Sequence, residues 1–325
     1  MKLSNFLKLV CAAAPLAALP LSATAQSDWP SKPVRVIVAF PAGGSSDVVA
    51  RQVAQHLSTA FGQQFIVDNR AGAAGNIGTD AVAKATPDGY TIGLSTSGPL
   101  ANNKSLYKNM PFDATKDLTP VALVGEIPLV IAVNPEVKAK TLKEFVALAK
   151  ANPGKYAVGN PGTGTIGHLA MESFKSITGT NLQMVPYKGD APIMTDLIGG
   201  QIQAGGAPVT AFIANIQAGK LHALAVTSKT RFPGLPNVPT AIEQGINLEA
   251  TVWFAIVGPA GMPKAVADKL NKEINHFTNS PEGRAKLAQF ALVPANSGPE
   301  GLGKLMTSEA AKWKSVVDAA KISLD

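Results

Sequence analysis

The apolar positions change period along the chain, and each change delimits an element. Val34-Arg-Val-Ile-Val-Ala-Phe40 is β-branched and apolar enough for a buried parallel strand. After Pro41-Ala-Gly-Gly-Ser-Ser-Asp47, the residues Val49, Val53 and Leu57 recur every four positions. This spacing predicts a helix with Ser45 or Ser46 as N-cap, Asp47 in its first turn and Gly62 as its stop. Residues 65–67 predict a second strand and 79–84 part of a second helix, and Pro87-Asp-Gly89 turns the chain into a strand over 90–95. The alternation of strand and helix predicts a doubly wound α/β domain.

A second cycle begins near Glu126. Residues 129–133 predict a strand, 142–150 a helix, and 156–158 the strand feeding Asn160-Pro-Gly-Thr-Gly-Thr-Ile-Gly-His168. Ile166, Leu169, Ala170, Ser173 and Phe174 then form a helical stripe that ends at Gly179. Residues 184–185 and 222–226 are strand candidates, with helices over 193–198 and 211–217. Further on, 251–257 reads as a buried strand, and the helix over 263–277 starts at Pro263 and carries Val266, Leu270 and Ile274. A last helix over 299–318 would be packed down by Trp313 and Val317. The second half repeats the architecture of the first without repeating its sequence.

Composition adds a compartment. Lys2 and Lys8 precede an apolar run from Leu9 to Leu21, and Ala23-Thr-Ala25 stands before Gln26 as a small-x-small cleavage site, so residues 1–25 read as a cleavable export signal. The run is short for a bilayer span and is broken by Pro15 and Pro20. The single cysteine, Cys11, falls in this leader, and the mature chain must rely on its core without disulfides. Removing the leader lowers the formal charge from +7 to +5, a scattered excess with no basic run of the kind that binds nucleic acid.

The chemistry resides in the two glycine-rich segments, each placed between a strand and a helix. A helix N-terminus offers unpaired N–H groups and a positive dipole end, and glycine lets backbone approach a ligand. Gly162-x-Gly164-x-x-Gly167 matches the dinucleotide fingerprint formally, but Pro186-Tyr-Lys188 supplies no acid for a ribose, and no lysine followed by Ser or Thr forms a phosphate loop. No cofactor is expected. Asp47 would repel an anion, so its expected role is to cap the helix or fix the loop. His168 and Glu172 share a helix face at i, i+4, yet no third metal ligand lies near in sequence, and an ordinary pair or a loop-holding histidine is expected. Arg51 and Arg70 are expected in structural salt bridges, while Lys188 either meets a ligand carboxylate or stays solvated. No nucleophile elbow, H-E-x-x-H motif or thiol supports a hydrolase, and no catalytic or metal residue is nominated.

The chain resembles the Bug-type (TctC-like) extracytoplasmic receptors of tripartite tricarboxylate transporters. The likeness runs from Trp29-Pro30 to the C-terminus through Phe40-Pro-Ala-Gly-Gly-Ser-Ser-Asp-Val-Val-Ala-Arg51, Asp68-Asn-Arg-Ala-Gly-Ala-Ala-Gly-Asn-Ile-Gly78, Pro87-Asp-Gly-Tyr90, Val185-Pro-Tyr-Lys-Gly189, Ala218-Gly-Lys220 and Val238-Pro-Thr240. It implies a two-domain α/β periplasmic-binding-protein fold of the Venus flytrap, type II-like kind, with the ligand cleft between domains. Domain one would hold residues 26–125 and 250–325, and domain two 126–249.

The implied role is to capture a small carboxylate in the periplasm and deliver it, as a monomer, to membrane permease subunits. A sensing subunit that reports to a sensor kinase would use the same cleft. Carried over residue by residue, Phe40, Pro41, Ala42, Gly43, Gly44, Ser45 and Ser46 would form one wall, and Gly162, Thr163, Gly164, Thr165 and His168 the other. Thr96, Ser97 and Gly98 would line the first domain, and Tyr187, Lys188 and Gly189 the second. Where many relatives carry Asp residues after a glycine pair, this chain has Gln201-Ile-Gln-Ala-Gly-Gly-Ala-Pro208. With both acids missing, an ammonium-bearing ligand is disfavoured, and the small neutral Ala207 and Pro208 would admit a bulkier or more fully anionic one.

Overall fold

A computed structural model describes residues 29–324. The export-signal expectation for residues 1–25 lies outside them. In the first half, β1 (Val34–Val38) runs parallel to both β2 (Phe65–Asn69) and β3 (Thr91–Thr96), with α1 (Ser45–Phe61) and α2 (Asn76–Ala83) as crossovers. α1 ends where Gly62 turns left-handed at φ 64°, a conformation that costs glycine little. Its start departs from expectation, because the N-cap is Gly44 and neither Ser45 nor Ser46 caps with its side chain.

After β3 the chain winds into a π-turn at Gly98–Asn102 and the short α3 (Asn103–Leu106), then enters β4 (Leu118–Val133). This strand is 16 residues long, whereas the hydrophobic pattern marked only its end. Pro120 and Gly125 hid the rest. Proline cannot donate to a ladder, and the strand absorbs the misfit with register shifts between Pro120 and Ala122 and between Leu123 and Gly125.

β4 belongs to both halves of the sheet. As far as Pro128 it pairs antiparallel with β9 (Thr251–Pro259), which in turn pairs with β3. From Leu129 onward its partners are β7 (Ala204–Pro208) and β8 (His222–Val226). β7 continues into β5 (Ala157–Asn160), and β5 into β6 (Gln183–Pro186), all parallel. The chain thus leaves the first half along β4 and returns to it along β9. Thr251 Oγ1 donates to Glu126 Oε2 at 3.0 Å and ties the two strands where the division falls.

The second half carries α4 (Leu142–Ala151), α5 (Ile166–Thr178), α6 (Asp190–Ile198) and α7 (Val209–Gln217). α5 stops at Gly179, left-handed at φ 62°. β7 falls outside the predicted strands, since Ala-Gly-Gly-Ala-Pro offers no large or β-branched side chain. Its neighbours require that blankness: a Cβ on Gly206 would sit 2.5 Å from Met171 Sδ, and one on Gly205 3.1 Å from Phe212 Cζ.

α8 (Lys264–Asn279), α9 (Pro281–Ala288), β10 (Val293–Ser297) and α10 (Pro299–Ala320) complete the first half, with β10 antiparallel on β4. Pro263 caps α8 instead of opening its first turn. One continuous core covers a single face of both half-sheets, with Val36 and Phe254 at one end and Val130 and Phe212 at the other. The opposite faces have separate cores, and α10 reaches both: Leu302 and Met306 pack beside Ile37 and Trp253, whereas Trp313 and Val317 pack beside Leu129 and Phe174.

Candidate functional site

The glycine segment after β1 is braced from below. Asp47 Oδ2 accepts the Gly43 N–H and the Arg51 Nε–H, both at 2.9 Å, and Oδ1 accepts from Asn69 Nδ2 at 3.0 Å. Asn69 Nδ2 also donates to the Phe40 carbonyl at 3.0 Å, so one network fixes both ends of the turn. Burial pushes the Asp47 carboxyl up, but the bonds from Arg51, Gly43 and Asn69 together outweigh it and hold the group below the usual carboxylate range. Gly43 itself stands at φ 82°.

The segment after β5 is braced in a parallel manner. Thr165 caps α5, accepting the His168 N–H at 3.2 Å and donating its hydroxyl to the Gly162 carbonyl at 2.7 Å. His168 Nδ1 accepts the Gly164 N–H at 3.2 Å, which requires that nitrogen to be unprotonated. Gly162 and Gly164 have φ 130° and 78°. In each loop, therefore, one glycine N–H that the sequence offers to a ligand is already taken by a side chain of the following helix. What remains outward is the rest of each first helical turn, the His168 N–H being taken by the Thr165 hydroxyl.

These two turns face each other across a cavity of about 280 Å3. The first half contributes Phe40, Ser45, Ser46, Ala74, Thr96, Ser97, Gly98, Asn102, Asn103 and Tyr107, and the second half Thr163, Gly164, Thr165 and Ile166. Val252 and Phe254 of β9 form an apolar floor, and Leu324 closes one side. The hydroxyls of Ser46, Thr96 and Ser97 make no hydrogen bond among the described residues, although all three residues are buried. No Lys, Arg, Asp or Glu stands in this wall. Such a lining holds an anion through dipoles and hydroxyls, not through a formal counter-charge.

Nine of the residues nominated from sequence thus share one cavity: Phe40, Ser45, Ser46, Thr96, Ser97, Gly98, Thr163, Gly164 and Thr165. The others lie elsewhere. Pro41, Ala42 and Gly44 are exposed and do not line this cavity, and Gly43 lines a different one. Gly162 sits beneath the Tyr187 carbonyl, 3.1 Å from where its Cβ would be, and His168 is buried behind its loop. Tyr187 donates its hydroxyl to Asp196 Oδ2 at 2.7 Å, and burial together with that carboxylate pushes the phenol up to about 12. Lys188 is exposed, and Gly189 caps α6 at φ 95°. Ala207 and Pro208 are held in β7 opposite Val130 and Leu129.

The pattern of the sequence did not reveal Asn102 and Asn103. The π-turn brings both to the wall, where Asn103 Nδ2 donates to Asn76 Oδ1 at 2.6 Å and to the Ala74 carbonyl at 3.3 Å. Among the described residues Asn102 Oδ1 is buried without a hydrogen-bond partner. The adjacent asparagines directly after Pro99-Leu-Ala101 were the one available signal.

His168 Nε2 lies 3.8 Å from Glu172 Oε1, but Lys175 Nζ holds the other oxygen of Glu172 at 2.6 Å. Among the described residues no three metal-ligating side chains gather. Burial pushes the His168 imidazole below the ordinary histidine range, with Glu172 pulling the other way and Lys175 adding to the depression. The unfolded chain therefore binds the proton more readily than the folded one. Stability from this group is complete above about pH 6.5 and is lost as pH falls from there toward the lowered folded value. Urea midpoints at pH 7.5 and 5.5 should fall more for the wild type than for His168→Asn, and equal falls would detach the imidazole from the loop.

A family model described as the tripartite tricarboxylate transporter family receptor matches residues 49–322. Protein BugT of Bordetella pertussis is 39% identical, with 92% of each chain covered. An R. palustris protein solved with adipate superposes at a TM-score of 0.77 with 34% identity, covering 91% of this chain and 100% of the other. MatC from Rhodopseudomonas palustris, solved with bound malate, superposes at 0.72 with 26% identity, covering 89% and 100%. The chain belongs to the tripartite tricarboxylate transporter receptor family, and its shared β4 and returning β9 build the two-domain periplasmic-binding-protein fold of those receptors.

Proposed function

We propose that this protein captures a small carboxylate between its two domains in the periplasm and delivers it to the membrane permease subunits of a tripartite transporter. The observation that carries the proposal is the shared cavity: two helix N-termini, one from each half, face each other with Ser46, Thr96 and Ser97 hydroxyls between them. The adipate and malate of the two solved relatives are carboxylates of the size this space suits. Domain one would comprise 26–125 and 250–325 and domain two 126–249, so that β4 and β9 form the hinge. The site residues would be the cavity-lining subset of those nominated from sequence, joined by Asn102 and Asn103. In this reading the protein binds without catalysis, in keeping with a family described as receptors.

Binding by both walls favours the closed form by the difference in affinity between open and closed states. A thermal-shift screen of di- and tricarboxylates, amino acids and aromatic acids tests the proposal. A carboxylate present at 100 times its Kd should add about 2.7 kcal/mol of stability. No stabilisation by any carboxylate, or turnover of one that binds, would overturn it.

A further inference from the structure

A second cavity, of about 930 Å3, lies on the other flank of the α1 N-terminus and again spans both halves. Gly43, Ser45 and Val48 of the first half face Thr210 and Ile213 of α7 across it. Phe232 and Phe290 add aromatic walls from the loop after β8 and the segment after α9. Ser45 lines both cavities, so the two spaces adjoin at the start of α1. The outer space differs in chemistry from the inner one: its lining is mostly apolar, and its one ionic side chain is Arg284. That guanidinium reaches Asn279 Oδ1 at 3.4 Å and has no carboxylate partner among the described residues.

Neither cavity is lined by an acid, so an ammonium group would find no counter-charge in either. An apolar body would find a matching surface. Sites for small molecules are typically concave, mostly apolar, within about 300–1,000 Å3, and oriented by a few polar groups. The outer space falls in that range and has that form, apolar for the most part with Thr210, Arg284 and Gln289 as its few polar groups, and the inner space beside it carries the hydroxyls of Ser46, Thr96 and Ser97.

We infer that the outer cavity receives the hydrocarbon body of the ligand, whose carboxylate head lies in the inner cavity, so that the protein selects amphipathic carboxylates carrying an alkyl chain or aromatic ring over compact polar acids. The inference rests on the carboxylate reading above. Because Ile213 belongs to one half and Val48 to the other, a chain lying between them draws the halves together, and length is read as affinity.

Calorimetry on two homologous series, straight-chain monocarboxylates and α,ω-dicarboxylates of three to eight carbons, tests this. Each methylene placed against the apolar wall should tighten binding about three- to fourfold. Thr210→Asp alters an exposed second position of α7, where an acid suits the helix dipole, and Ala288→Trp fills the space from the opposite side. Each variant should flatten the dependence on length and leave the shortest ligand that binds within about twofold of wild type. If Thr210→Asp fails to fold by circular dichroism, Ala288→Trp decides. Affinity independent of length in both series, or a slope unchanged in the folded variants, overturns the inference and leaves the receptor reading standing. If no carboxylate of any class binds the wild type, both fall together.

Discussion

A Gly164→Val protein is expected to fold and yet lose about a hundredfold or more in carboxylate affinity, roughly 3 kcal/mol. Gly164 stands at φ 78°, a conformation that a β-branched residue rarely adopts. Its Cβ would lie 2.8 Å from Leu324 Cδ1 and 3.2 Å from Leu106 Cδ1, so the valine meets apolar side chains from two directions. Relief requires the loop to move. The Gly164 N–H then leaves His168 Nδ1, and Thr163 and Thr165 leave the cavity wall with it. Gly179→Ala supplies the control, because Gly179 is also left-handed at φ 62° but a Cβ there meets nothing within 4 Å. It should cost about 1 kcal/mol of stability and leave affinity intact. Calorimetry showing near wild-type binding by Gly164→Val would remove this loop from the site.

Trp313→Ala is expected to cost about 3–5 kcal/mol of unfolding free energy, a fall in Tm on the order of 10 °C. The indole is fully buried, and its Nε1–H donates to Glu309 Oε2 at 2.8 Å. Truncation would leave a cavity beside Leu129 and Phe174 that fixed strands and helices cannot collapse to fill. The effect should extend beyond local packing, because the same helix anchors Leu302 and Met306 under the first half. Hydrogen exchange should show the second part of α10 opening ahead of the rest, including the stretch leading to Leu324 at the inner cavity. A loss below 1 kcal/mol in denaturant unfolding would contradict this burial.

How far the fold could be anticipated depended on whether each element displayed its own period. α1, α8 and α10 each bury one stripe, and α5 narrows to one after a start that is buried all round, so the apolar spacing and a left-handed glycine at the end of α1 or α5 located them to within a few residues. β1 and β8 were equally plain. β7 was not, because its glycines are dictated by Met171 and Phe212 on other elements, and the first part of β4 was masked by a proline tolerated through register shifts. α9, β10 and α3 also went unanticipated. β10 is at most half-buried and has a weak pattern.

The candidate site divides along the same line. Glycine, serine and threonine after a strand announce a helix N-terminus locally, and Ser45, Thr163 and Thr165 do meet at a cavity. Which N–H groups remain for a ligand was not local information. Asp47 and His168 occupy those of Gly43 and Gly164, a choice made by side-chain reach within a folded turn. Tyr187 turns its hydroxyl to Asp196 for the same kind of reason.

By itself the sequence determined the α/β alternation, the two glycine turns and the family, since each is written in residues close together along the chain. Only the tertiary structure decided that one 16-residue strand serves both halves, that Asn102 and Leu324 reach the wall, and that a wide apolar space adjoins the polar one through Ser45. Those features depend on contacts between residues distant along the chain, such as Thr119 with Gly258, Leu129 with Pro208 and Leu106 with Leu324. Periodicity records which face of an element is buried, not against what.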